Sequence, residues 1–358
     1  MIILNKPLEP NLSKLNRYLE RVNQSGWYTN FGPLHEELTQ RLEEYLKVSN
    51  MLLVSNGTLA IQVASKALNV NSAITTPFSF VATTSSLLWQ GINTAFCDID
   101  EKSFNLSTIQ LSQALNTGRH YDAIVATHVY GNPCDVASID RIANKYGKKV
   151  IYDAAHAFGV NVGDKSVLDF GDASTLSFHA TKVFHTIEGG AIVFKKEEDL
   201  LRAKQLINFG IHNDGVIGEV GINAKLNEYQ SAVGLCLLDD INNVIEHRQA
   251  MFTLYRELLK DSVDMPLWHD CANYNGAYMP ILPNDIKTRD KIITALKNNG
   301  IQFRNYFSPS LDKTYGDCYN FGSSKSNSIS ERILCLPLHT YITKQEVIKV
   351  ASQIKEVL

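Results

Sequence analysis

At 358 residues the chain is too long for one simple sandwich or bundle and suits a large α/β domain with a smaller companion. Its 44% hydrophobic and 20% charged residues are those of an ordinary globular protein, and a net charge of −3 argues against nucleic acid or an anionic membrane as partner. No stretch is apolar enough to span a bilayer, the first residues lack a leader pattern, and six scattered cysteines without a C-x-x-C pair point to a reducing, cytoplasmic setting.

From residue 51 onward short apolar runs alternate with helical patterns. The runs are Met51–Ser55, Ser72–Thr75, Thr94–Asp98, Ala123–Thr127, Lys149–Asp153, Ser174–Phe178 and Ala191–Phe194, with helical stretches such as Leu59–Leu68 and Ile139–Tyr146 between them. Runs of this length predict a largely parallel sheet covered on both faces, whose ligands bind beyond the carboxyl ends of the strands. Glu197–Leu206 reads as a helix, and Glu228–Leu259 as a longer one containing a bend. The large domain is therefore placed at residues 1–240. The remainder, 241–358, holds Tyr278–Leu282, a helix over Thr288–Asn298, extended Ile301–Phe307, apolar Ile333–Leu338 and a last helix from Lys344, which together make a small α/β domain. Ser323–Ser330 is serine-rich and reads as a surface loop.

Chemistry-bearing residues follow the strand runs. After the first comes Ser55-Asn56-Gly57-Thr58, a glycine turn opening a helix. Free N–H groups there, with the positive end of the helix dipole, suit a phosphate; the same residues also read as an ordinary cap by Asn56 or Thr58. After the second, Thr76-Pro77-Phe78-Ser79-Phe80 offers Phe80 to stack on a planar ring, or simply to the core. The fifth ends in Asp153-Ala154-Ala155-His156. A buried acid is costly without a cation or strong donors, and a protonated pyridine nitrogen is such a cation; a helix cap is the alternative. The sixth leads into Lys182 among aromatic and small residues, which depress an amine's pKa and leave it nucleophilic; the alternative is a surface lysine.

A phosphate cradle, a ring-stacking aromatic, an acid and an amine, each after a different strand, are together what pyridoxal 5′-phosphate (PLP) requires. Dinucleotide, P-loop and zinc motifs are absent.

At these residues the chain resembles the DegT-type sugar aminotransferases, members of the aspartate aminotransferase (type I) fold of PLP enzymes. The matching segments include Trp27 with Gly32 and Pro33, Ser55–Thr58, Thr76–Thr83, Asp98–Asp100 and His128–Gly131. They continue through Asp153–His156, Ser177–Lys182, Glu188–Gly190, Gly221–Asn223 and, more weakly, Leu336–His339. The resemblance implies that Lys182 carries the cofactor, Asp153 pairs with its ring nitrogen, Phe80 stacks on the ring, and Gly57, Thr58 and Ser177 hold the phosphate. It also implies a homodimer in which Asn223 and Lys225 of the neighbouring subunit complete the phosphate site. His156, where many relatives have Gln, would meet the phenolic oxygen. Four further residues, His179, His185, Tyr306 and His339, are candidate substrate contacts.

Glu188-Gly189-Gly190 resembles members that act at C-4 of a keto-sugar and Ser177–Lys182 those that use dTDP-4-keto-6-deoxyhexoses, while Asp153–Gly159 together with Ser177–His185 looks closest to the dTDP-4-amino-4,6-dideoxy-D-glucose transaminases. The implied reaction takes an amino group from L-glutamate to a nucleotide-linked 4-keto-6-deoxyhexose, for O-antigen or other glycan synthesis. The alternatives are amination at C-3 or on a cyclitol, another PLP reaction such as dehydration, and a PLP-binding regulator without turnover.

Overall fold

The computed structural model describes residues 1–212 and 214–358. Two helices, α1 (Leu12–Ser25) and α2 (Pro33–Leu46), precede the first strand. Strands β1 (Met51–Val54), β2 (Ser72–Thr75), β3 (Asn93–Phe96), β4 (Ala123–Thr127), β5 (Lys149–Asp153), β6 (Ala173–Ser177) and β7 (Gly190–Phe194) fall on the seven apolar runs. Three more short segments follow: β8 (Met279–Ile281), which pairs with β10 (Leu334–Leu336), and β9 (Tyr319–Asn320), which joins the edge of the large sheet beside β3.

The sheet order is β1-β7-β6-β5-β4-β2-β3-β9. Only β7 runs against its neighbours, so the carboxyl ends of β1, β2, β4, β5 and β6 share one edge. The strands are buried almost throughout, as expected where helices cover both faces. Helices α3 (Gly57–Ala67) and α4 (Val81–Trp89) start directly after β1 and close after β2, and so point their N-termini at that edge.

The long helical stretch is two helices, Glu228–Leu238 and Ile241–Leu259. They part at Asp239 and Asp240, which pair with Arg41 and Lys14 of the N-terminal helices. A separate apolar core forms around Met251, Ile281, Leu296, Leu334 and Ile354, and takes in Ile2 from the other end of the chain.

Ser323–Ser330 is not the expected loop. Ser324–Arg332 is a helix, with Ile329 buried. Asp98, buried just beyond β3, accepts the N–H groups of Lys325 and Ser326 and the Ser326 hydroxyl. A carboxylate at the helix N-terminus offsets the poor helix propensity of the serines.

Candidate active site

A cavity of about 680 Å³ opens at the shared strand edge. Asn56, Gly57, Thr58, Phe80, Asp153, His156, Ser177, His179, Lys182, Glu188, Tyr278, Tyr306 and Phe307 are among its lining residues. Nine of the thirteen sequence-derived candidates are thus brought together. The size is in the range of small-molecule sites.

Gly57 is the first residue of α3 and Asn56 its cap, the side chain accepting from Leu59 N–H at 2.9 Å. The N–H groups of Gly57 and Thr58 precede the first intrahelical bond and are left for an anion. A Cβ on Gly57 would lie 2.7 Å from Ser177 Cβ. Only glycine lets the start of α3 approach the end of β6 so closely. Phe80, at the entry to α4, keeps 50% of its surface exposed on the cavity.

Asp153 ends β5 and no helix begins after it, so it is not a helix cap. Its Oδ2 accepts from Thr83 Oγ1 at 2.6 Å and its Oδ1 from Ala155 N–H at 3.1 Å. Burial pushes its carboxyl above the ordinary range, against the pull of these two donors and of Lys182. Lys182 moves the opposite way: burial lowers its ammonium to about 8, opposed by Asp153. Each group lacks a full counterion, which is the condition that a cationic ring nitrogen would relieve at Asp153.

His156 is buried between aromatic rings, stacked on Phe307 with centroids 5.9 Å apart and packed against Tyr278 at 4.8 Å. Burial first, then Lys182, holds it well below its usual pKa, so it is neutral. Its Nδ1 has no hydrogen-bond partner among the described residues. An orphaned buried nitrogen, a glycine cradle and an acid without a counterion all fit PLP.

His179 is held by Thr181 and lies 3.6 Å from Glu188 Oε1 at the cavity. His185 and His339 are elsewhere. His185 is buried with Nε2 on Leu8 O and Nδ1 accepting from Ile187 N–H, so both nitrogens serve the backbone. His339 Nδ1 likewise accepts from Tyr341 N–H. The placement of neither supports a substrate contact from this chain.

Asn223 and Lys225 also lie outside this chain's cavity. Lys225 Nζ donates to Asn208 Oδ1 at 2.9 Å and sits over the Phe209 ring. Thr83, Tyr278 and Phe307 are cavity or supporting residues that the sequence reading assigned no role; Thr83 lay inside a matched motif, as a buried hydroxyl in a helix facing a strand end.

Comparison with known proteins matches residues 12–355 to the DegT/DnrJ/EryC1/StrS aminotransferase family. The chain belongs to this family. Its activity is PLP-dependent transamination of a sugar, and its fold is the type I aspartate aminotransferase-like fold. The chain is 39% identical to a dTDP-4-amino-4,6-dideoxy-D-glucose transaminase from Shigella dysenteriae, covering 99% of both chains. It is 36% identical to one from Escherichia coli, covering 98% of this chain and 97% of that one. The crystal structure of DesI in the presence of its TDP-sugar product superposes with a TM-score of 0.93 at 30% identity, over 99% of this chain and 92% of the other.

Proposed function

We propose that the chain moves an amino group from L-glutamate to the C-4 ketone of dTDP-4-keto-6-deoxy-D-glucose, giving dTDP-4-amino-4,6-dideoxyglucose. The observation that carries this reading is the full-length similarity to two transaminases named for that product. Glu188 lines the cavity beside His179, and it is the resemblance of its Glu188-Gly189-Gly190 motif to C-4 members that supports C-4 rather than C-3 chemistry.

PLP, when bound, supplies an electron-withdrawing ring that accepts charge from the carbon losing its proton. The chain supplies the rest. Gly57, Thr58 and Ser177 would hold the phosphate, Phe80 would cover the ring, and His156, whose Nδ1 is unpartnered, would serve the phenolic oxygen. Asp153 keeps the ring nitrogen protonated. Lys182 Nζ anchors the cofactor, removes the proton from glutamate Cα, and in the second half-reaction delivers one to C-4 of the sugar.

The reading includes a homodimer in which Asn223 and Lys225 serve the neighbouring phosphate site. Exposed apolar side chains support such a face: Trp27, Tyr28, Ile187, Phe209, Ile222 and Tyr229 are each at least 41% exposed. Residues 1–240 form the cofactor domain and 241–358 the small one, as the separate core around Met251 and Ile354 suggests. We assign the enzyme to the cytoplasm and to O-antigen or related glycan synthesis. No helix of the described residues is long and apolar enough to cross a membrane.

The test is incubation of the holoenzyme with glutamate and dTDP-4-keto-6-deoxyglucose, followed by NMR assignment of the product. An equatorial amine at C-4 is expected. Amination at C-3, an axial amine, or turnover only with a GDP- or UDP-linked ketone overturns the assignment. Borohydride reduction and peptide mapping should place the cofactor on Lys182.

A further inference from the structure

Behind Asp153 lies a row of buried hydroxyl groups that runs from Thr83, through Ser79 at the cavity lining, to Thr127. Thr83 in α4, Ser79 just before it and Thr127 at the end of β4 are each at most 1% exposed. Thr83 Oγ1 is 2.6 Å from Asp153 Oδ2, Ser79 Oγ is 2.6 Å from Thr83 Oγ1, and Ser79 Oγ is 3.1 Å from Thr127 Oγ1.

A hydroxyl has one hydrogen to give, and an ionised carboxylate can only accept. If Asp153 is charged, Thr83 must donate to it, Ser79 must donate to Thr83, and Thr127 must donate to Ser79. The direction of every bond in the row is then fixed by the carboxylate. Each donor polarises the next, which strengthens the terminal bond at a buried site of low dielectric. If Asp153 were protonated, its own hydrogen could turn toward Thr83 and the row could run the other way. The row is therefore sensitive to the charge at its end.

We propose that Thr127, Ser79 and Thr83 form a positioning relay that holds Asp153 ionised and fixes which carboxylate lone pairs face the cofactor's ring nitrogen. The inference rests on Asp153 being the partner of that nitrogen. Oδ1 is already committed to Ala155 N–H and Oδ2 to Thr83, so the carboxylate cannot rotate without breaking one of them. The remaining acceptor capacity points away from both donors. Burial works against ionisation here, while Thr83, Ala155 and Lys182 favour it. Lys182 is the charged group that faces Asp153, and His156 is a neutral titratable group on the same cavity. Thr83 contributes the only side-chain hydrogen bond to the carboxylate among the described residues. It gives that carboxylate a permanent donor that a titrating lysine does not provide.

The test uses holoenzyme loaded with PLP labelled with ¹⁵N in the ring, titrated by NMR, alongside kcat and KM for glutamate. In Thr83→Val, which keeps the shape and removes the donor, the ring nitrogen should lose its proton at a lower pH than in wild type. The turnover number should fall roughly ten- to hundredfold, the scale of one hydrogen bond to a charged group, with KM changed less than about threefold. Thr83→Ser should restore both readouts. Ser79→Ala leaves the bond to Asp153 in place but removes its polarising donor, and should shift the titration in the same direction by less.

A titration of Thr83→Val that matches wild type, while Asp153→Asn displaces it, overturns the relay and leaves the Asp153 assignment standing. An unchanged titration in Asp153→Asn overturns that assignment and the relay with it. A fall in turnover for Thr83→Val that Thr83→Ser does not restore, with no change in the nitrogen's titration, means a packing role only.

Discussion

One wall of the cavity comes from the strand ends of β1, β5 and β6 and carries the groups that change charge or donate hydrogen bonds: Gly57 N–H, Asp153, Ser177 and Lys182. The wall supplied by residues 278–307 is aromatic, with Tyr278, Tyr306 and Phe307 in contact and Tyr130 stacked against Phe307 at 5.7 Å. The first wall holds charged groups with too few counterions; the second holds no charge and satisfies itself by packing. The difference separates chemistry from enclosure. Substitutions in the strand-end wall should alter proton transfer and pH dependence, and substitutions in the aromatic wall should alter fit while leaving the titrating groups as they are.

The largest effect is expected at Lys182. Lys182→Ala removes the anchoring amine and the proton carrier together, so transamination should fall by at least about 10³-fold. The phosphate, ring and nitrogen contacts remain, so the variant should still retain pyridoxamine phosphate through gel filtration, read by its absorbance. Loss of the cofactor along with activity would show that the strand-end wall cannot hold it without a covalent link.

Asp153→Asn comes next. Asparagine cannot stabilise a protonated ring nitrogen, and the loss should be about 10²–10³-fold in the glutamate half-reaction, the scale of one preorganised electrostatic partner. Stopped-flow rates within threefold of wild type would make Asp153 a packing residue and erase the contrast between the walls. The apoprotein offers an independent check. With its ammonium held at about 8 rather than the usual 10.5, Lys182 has more free amine at neutral pH, not less. At pH 7 that is roughly a 300-fold gain in the reactive fraction over an unperturbed lysine. Acylation of apoprotein, followed residue by residue in mass spectrometry, should be half-maximal for Lys182 near pH 8.

The two walls were also unequally visible in the sequence. Asp153, Lys182 and Gly57 stand out because each is locally out of place: an acid and an amine at the ends of apolar runs, and a glycine opening a helix. The parallel sheet followed from the same runs, since strands buried on both faces leave continuous apolar stretches. Tyr278 and Phe307 gave no such sign. An aromatic residue in an apolar segment looks the same whether it lines a cavity or fills a core, and theirs is set by packing across more than a hundred residues of chain. Ser324–Arg332 was hidden for a related reason: its serines disfavour a helix, and the carboxylate that caps it, Asp98, is over two hundred residues away. His185 and His339 show a further limit of sequence reading. Their motif positions suggested substrate contacts, but the ring nitrogens of His185 and Nδ1 of His339 are taken by backbone groups, which sequence spacing does not reveal.

The smallest effect is expected at His156, the residue on which the two walls meet. By position it belongs with Asp153, three residues earlier in the strand-end loop. By environment it belongs with the aromatic wall, stacked on Phe307 and edge-on to Tyr278. Its pKa lies well below the usual value, so lowering the pH from 8 to 6 leaves it neutral, and it contributes no inflection near 6.5 to the pH–rate profile. Its working part is one unpartnered nitrogen in a neutral ring. Glutamine supplies a neutral polar group of similar reach, so His156→Gln should keep kcat/KM within about fivefold and leave the profile between pH 6 and 8 superimposable on wild type. What it loses is stacking, worth about 0.5–1.5 kcal/mol for an aromatic pair, which should appear as a modest drop in thermal stability. A profile that gains or loses an inflection in that range would return His156 to the charged wall as a titrating participant in proton transfer. An unchanged profile with reduced stability would place it with Phe307, as part of the enclosure that keeps Asp153 and Lys182 out of water.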